Sequence, residues 1–150
     1  MAEAFTLVLE RGRIELQITG YEFPEHLPAG VAFDYDANWL KLRCRRYMGK
    51  ALPEGEEPCL LTVDVRRMIE ALCAFRQGER TQIGCGGLEP NFGLELERRM
   101  DGDWLDLFFW AERSGEVYGT APHFRRRIGR EELDGLIRFW EQALAAFPVR

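Results

Sequence analysis

Phe5-Thr6-Leu7-Val8-Leu9-Glu10-Arg11-Gly12-Arg13-Ile14-Glu15-Leu16-Gln17-Ile18-Thr19 sets apolar side chains at alternate positions on both sides of an Arg-Gly turn. Phe5, Leu7 and Leu9 alternate with Thr6, Val8 and Glu10. Ile14, Leu16 and Ile18 alternate with Glu15, Gln17 and Thr19. A period of two sends successive side chains to opposite faces of an extended chain, so the stretch predicts a hairpin with one buried face.

The same period returns further on. Leu40, Leu42 and Cys44 alternate with Lys41, Arg43 and Arg45, a strand that begins near Ala37. Phe92, Leu94 and Leu96 alternate with Gly93, Glu95 and Glu97. Asp101-Gly102 then turns the chain into Trp104 to Glu112, and Ser114-Gly115 turns it back into Val117 to Thr120. Tight turns between strands make neighbours antiparallel. The middle strand carries Leu105, Leu107 and Phe109 on one face and Trp104, Phe108 and Trp110 on the other, which marks it as central.

Two stretches change to helical spacing. Val65, Met68, Ile69, Leu72 and Cys73 form a stripe behind Thr62, whose hydroxyl is a candidate N-cap, and Gly78 is the natural stop. Arg66, Arg67, Glu70 and Arg76 face water on this reading. From Arg130 to Phe147, Leu133, Leu136, Ile137, Trp140 and Leu144 form a second stripe, ended by Pro148. The expected fold is α+β. It is a single domain over residues 1–150, a mainly antiparallel sheet of roughly five to seven strands with a short internal helix and a C-terminal helix packed on it. Leu72, Leu136, Trp140 and Leu144 are expected in the core. Pro24, Pro28 and Gly30 read as a loop, Pro53 to Pro58 as an acidic loop, and Gly84 to Gly87 as a turn or bulge.

Composition bounds the function. With 150 residues, 46% hydrophobic and 30% charged, the chain can bury a core of its own. Its net charge of −5 opposes sequence-independent nucleic-acid binding and suits a basic partner. No apolar run is long enough to span a membrane, and Met1-Ala2-Glu3-Ala4 lacks the basic start of a secretory leader. A cytoplasmic location is therefore expected, with Cys44, Cys59, Cys73 and Cys85 as free thiols.

Sites of chemistry are hard to assemble. Ser114 sits in a Ser-Gly turn without a nucleophile elbow. His26 and His123 are far apart in sequence, and no Cys-x-x-Cys or other metal-ligand spacing occurs. Asp34 and Asp36 could hold a cation, but acids at a strand entrance more often cap backbone amides. The glycines at 84, 86 and 87 lead into Pro90 and a strand, whereas a phosphate cradle needs a helix behind it. In Arg125-Arg126-Arg127 alternate side chains part, two to one face and one to the other, near Glu131 and Glu132. Tryptophans at 104, 110 and 140 read as core. Trp39 shares the polar face of its strand with Lys41, Arg43 and Arg45, so it is either covered by the Tyr21–Phe23 loop or open to a partner. Asn38, at the entrance to that strand, is expected to tie the loop to the sheet.

Four short segments carry a family resemblance: Gly20-Tyr21-Glu22-Phe23-Pro24, Asp34-Tyr35-Asp36-Ala37-Asn38-Trp39-Leu40, Leu60-Leu61-Thr62 and Phe147-Pro148-Val149-Arg150. In this order they resemble WapI-type immunity proteins, small bacterial proteins that neutralise a toxin made by the same cell. The resemblance implies a toxin domain as protein partner, blocked by stoichiometric occlusion, with no catalytic residue, metal or cofactor and no nucleic-acid or membrane partner. On that footing the expected contact residues are Glu22, Glu25, Asp34, Asp36 and Trp39, carboxylates beside an aromatic anchor. Glu54, Glu56 and Glu57 are a second acidic patch. Two alternatives remain: a binding module, including a homodimer joined at a sheet edge, and a small enzyme using His26 or His123 beside acids or cysteine.

Overall fold

The computed structural model describes residues 3–30, 32–52, 54–110 and 123–150. In these residues the chain forms two four-stranded antiparallel sheets and two helices. The first sheet has the order β1 (Phe5–Leu9), β2 (Gly12–Tyr21), β3 (Trp39–Tyr47), β4 (Gly55–Leu61). Helix α1 (Thr62–Arg76) leads to the second sheet, β5 (Gln82–Gly86), β6 (Phe92–Arg99), β7 (Gly102–Phe109), β8 (His123–Ile128), and α2 (Arg130–Ala146) follows. The α+β class and the antiparallel pairing agree with the period-two reading. The expectation of one sheet of five to seven strands is corrected to eight strands in two sheets.

The opening hairpin forms in the register its alternation requires, with Phe5 opposite Leu16 and Leu7 opposite Ile14. Leu7, Ile14, Leu16 and Ile18 are buried, as are Leu40, Leu42 and Cys44 on β3. Gly12 is demanded by the neighbouring strand: a Cβ there would stand 1.9 Å from the Tyr47 carbonyl oxygen.

Two segments read as loops are strands. Glu56 and Glu57 of β4 stand opposite Arg43 and Leu42, so an acidic run takes extended form beside the cations of β3. Pro58 is tolerated because β4 ends the sheet order and its missing amide breaks no central ladder. Gly84, Cys85 and Gly86 pair with Glu95, Leu94 and Gly93 as β5 rather than forming a turn. The glycine run there serves close approach, since a Cβ on Gly87 would fall 2.3 Å from the Cys59 carbonyl oxygen. Of the expected meander, β6 and β7 form, and β7 lies between β6 and β8. The segment Val117 to Thr120, with Ser114, lies outside the described residues.

Both helices face one continuous hydrophobic cluster that draws on both sheets. Leu72, Leu136 and Trp140 are fully buried. Trp140 meets Phe139 and Phe92 at ring distances of 4.6 and 5.8 Å, and Phe139 reaches Phe5 of β1 at 6.0 Å. Burial of four aromatic rings in one contact chain supplies dispersion and hydrophobic stabilisation that no polar pair matches. Leu144, expected in the core, is only half-buried, because the stripe runs out in the last turn of α2. Arg76 Nε donates to Asp134 Oδ1 at 2.6 Å and links the helices at their rim. Helix α1 ends at Arg76, and Gly78 follows with φ +82, which suits glycine alone.

Thr62 is the first helical residue rather than the cap. Leu61 precedes the helix, and its amide donates to Asp64 Oδ2 at 2.9 Å. The Thr62 hydroxyl is engaged across the fold by Asn38 instead. Among the described residues no helix is long and apolar enough to cross a membrane.

Candidate functional site

Asn38 ends the long connection from β2 to β3 and is fully buried. Its Nδ2 donates to the Asp34 carbonyl at 2.8 Å and the Arg150 carbonyl at 2.9 Å. Its Oδ1 accepts from the Thr62 hydroxyl at 2.7 Å and the Arg150 amide at 2.9 Å. Two donors and two acceptor positions are all a carboxamide offers, so the side chain is fully satisfied. The tie to the Tyr21–Phe23 loop expected of Asn38 is made by Arg150. The Arg150 guanidinium donates from Nε to the Ala37 carbonyl (2.8 Å), from Nη1 to that of Pro24 (3.1 Å) and from Nη2 to that of Phe23 (3.0 Å). Its Cζ lies 3.9 Å from the Tyr21 ring centroid, and the Tyr21 hydroxyl donates to the Pro148 carbonyl. Burial pushes the Tyr21 hydroxyl pKa up, with the Arg150 charge opposing it.

The four resemblance segments therefore meet at one place. What they hold is the connection between β2 and β3. The Glu22 amide donates to the Trp39 carbonyl (2.8 Å), the His26 amide to that of Phe23 (3.1 Å) and the Asn38 amide to that of Tyr35 (2.9 Å). Asp34 caps the Ala37 amide at 3.2 Å, and its second oxygen lies 2.9 Å from His26 Nε2. The His26 hydrogen bond, with a smaller part from the Ala37 amide, holds the Asp34 carboxyl below the usual range.

A cleft of about 530 Å³ opens in this connection, lined by Glu22, Phe23, Pro24, Glu25, His26 and Asp36. Glu22, Glu25 and Asp36 have no ion-pair partner among the described residues. Desolvation, followed by the nearby Asp36 charge, raises the Glu22 pKa, with Lys41 in opposition. Around the cleft the connection shows Phe23 (45% exposed), Leu27 (72%), Phe33 (39%) and Tyr35 (52%) to solvent. Large apolar side chains gathered on one exposed segment beside carboxylates without a salt bridge are what a recognition surface offers.

Of the expected contact residues, the fold brings Glu22, Glu25 and Asp36 to the cleft. Asp34 is engaged internally by Ala37 and His26, and Trp39 is half-buried at the start of β3, outside the cleft lining. Phe23, which sequence reasoning did not single out as a contact residue, is the aromatic side chain of the cleft lining. The second acidic patch is largely paired: Glu54 bridges Arg43 (3.5 Å) and Arg45 (2.9 Å), and Glu56 accepts from the Thr19 hydroxyl.

Elsewhere, Trp104 lies within 6.0 Å of the guanidinium groups of Arg99, Arg125 and Arg127, while Arg126 pairs with Glu132 on the opposite face. The arginine run divides as its alternation requires. Trp140 alone of the four tryptophans is core; Trp104 of β7 and Trp110, just beyond its end, were expected there and are half-buried. His123 lies 3.1 Å from Asp106 and far in sequence from His26. The cysteines are free. Burial pushes the Cys59 thiol up and raises Cys85 to about 11, the opposite of nucleophile activation. Among the described residues no group of three or more His, Cys, Asp or Glu could hold a metal ion.

The model of the immunity protein WapI-like family matches residues 7–148. The chain belongs to that family. Membership brings a toxin-neutralising, binding role and a cognate toxin protein as partner. The match runs from β1 through Pro148 and so spans both sheets, both helices and the whole cleft. No curated protein matches the chain.

Proposed function

We propose that this chain is a cytoplasmic immunity protein, one domain over residues 1–150, that binds its cognate toxin domain one to one and occludes it. The contact is the cleft of Glu22, Glu25 and Asp36, with Phe23 as apolar anchor and Leu27, Phe33 and Tyr35 around it. One observation carries the reading: three carboxylates without ion-pair partners stand together in a cleft beside exposed aromatic rings. Desolvation, and after it repulsion from the neighbouring Asp36, raises the Glu22 pKa against the opposing charge of Lys41. A basic side chain of the toxin offsets the repulsion and compensates the desolvation of the carboxylate, and Phe23 supplies area that does not depend on salt.

Occlusion needs no nucleophile, metal or cofactor, and the acidic face disfavours nucleic acid as the direct partner. Carboxylates here also occupy positions that phosphates would take on a basic nuclease surface, so the same charge speeds encounter and competes with substrate. The test is a titration of the toxin domain encoded beside this chain. Its activity is expected to fall linearly and vanish at one equivalent. Residual activity at large excess of chain would refute occlusion.

A further inference from the structure

The cleft has two walls, and one side chain spans them. Phe23 and Pro24 belong to the first wall; Asp36 belongs to the second, and Ala37 follows it directly. The Arg150 guanidinium donates to Phe23 and Pro24 on one side and to Ala37 on the other, at 3.0, 3.1 and 2.8 Å. Tyr21 fixes the plane of the group by stacking 3.9 Å from its carbon. Asn38 fixes its root through both the amide and the carbonyl of Arg150. A planar fork held at its root and its face sets the separation of whatever it bridges.

We propose that Arg150 is the positioning residue of the partner surface, holding the Phe23–Pro24 wall at a fixed distance from the Asp36–Ala37 wall. This rests on the reading of the cleft as the toxin contact. Among the described residues the other ties across the connection include the His26–Asp34 pair, the Ala29 backbone hydrogen bond to Asp34 and the Glu22 amide bond to Trp39. Without the fork fewer ties hold the walls, so their separation widens and the three carboxylates converge less closely. The toxin then has to order the connection on binding, which weakens affinity without removing any direct contact. Lysine keeps the charge of Arg150 but lacks the fork, so it cannot reach three carbonyls in one plane.

Arg150→Ala and Arg150→Lys separate these roles. In both, the amides of Glu22, His26 and Asn38 are expected to exchange about tenfold faster, with β6 and β7 unchanged. Toxin affinity is expected to fall about tenfold in both, since charge alone does not restore the fork. Unchanged exchange at those three amides would overturn the proposal. So would equal acceleration in β6 and β7, which would make Arg150 a general stabiliser, or full function in Arg150→Lys. Faster exchange with undiminished toxin affinity would overturn the link between wall spacing and recognition. Failure of the wild-type chain to bind the toxin, with exchange responding as described, would refute the immunity reading and leave the positioning role standing.

Discussion

Asn38 and Arg150, 112 positions apart, exchange two hydrogen bonds of 2.9 Å: the Asn38 carboxamide donates to the Arg150 carbonyl and accepts from the Arg150 amide. The side chain thus pairs with main chain as one strand pairs with the next. It joins the entrance of β3, the start of α1 and the segment after α2 through a fully buried carboxamide. The connection between β2 and β3 hangs from this point.

Asn38→Ala removes four hydrogen bonds and leaves the buried Thr62 hydroxyl and the half-buried main-chain groups of Asp34 and Arg150 without this partner. A loss of about 1–3 kcal/mol is expected from the unpaired partners. The denaturant midpoint measures it, at unchanged slope. A midpoint equal to wild type would show that the buried groups find other partners.

Gly87→Ala places a Cβ 2.3 Å from the Cys59 carbonyl oxygen, a backbone atom that moves only with β4. A cost of about 1–3 kcal/mol is expected, as for other overpacked sites. Gly84→Ala is the control, because its Cβ meets only the Glu95 side chain at 4.0 Å. Thermal melts of the two variants should differ clearly. Equal stability would mean that the glycine run is a matter of turning, as its sequence first implies.

Glu22 has a raised pKa, so its ionised form costs stability. That cost is fully present above its folded-state pKa and disappears as the pH falls below its ordinary value of 4.5. Glu22→Gln is therefore expected to melt higher than wild type at neutral pH and to lose that advantage in acid. The same substitution should weaken toxin binding, a trade of stability against recognition. Melting curves at several pH values test the first part. A Glu22→Gln variant that melts lower at neutral pH would contradict the sign.

Most of the framework was legible because it rests on periodicity. Leu7, Ile14 and Leu16 alternate visibly, Leu133 to Trp140 follow a helical stripe, and each is buried where its spacing places it. Strands β4 and β5 were hidden because their conformation is imposed by neighbours: Glu56 by Arg43 across the ladder, Gly86 by Gly93. The Thr62 hydroxyl has a local helix to cap, yet its partner is Asn38, 24 positions away. At the cleft, the family resemblance and carboxylates close in sequence to an aromatic residue marked Glu22, Glu25 and Asp36. The internal engagement of Asp34 and the place of Phe23 in the cleft lining depend on the path of the connection, which no local pattern encodes. The same holds for Arg150, whose partners lie more than a hundred positions away.

The central claim is that the acidic cleft is where the toxin binds, and association kinetics with charge-reversed protein test it most directly. Glu25→Lys with Asp36→Lys alters two exposed side chains that contribute no ion pair among the described residues, so the melting temperature should stay close to wild type. The association rate with the toxin domain is expected to fall by about tenfold or more at low salt, and its salt dependence to flatten. Co-expressed with the toxin, wild type should restore growth and the double variant should not. A double variant that associates at the wild-type rate and restores growth fully would contradict the account.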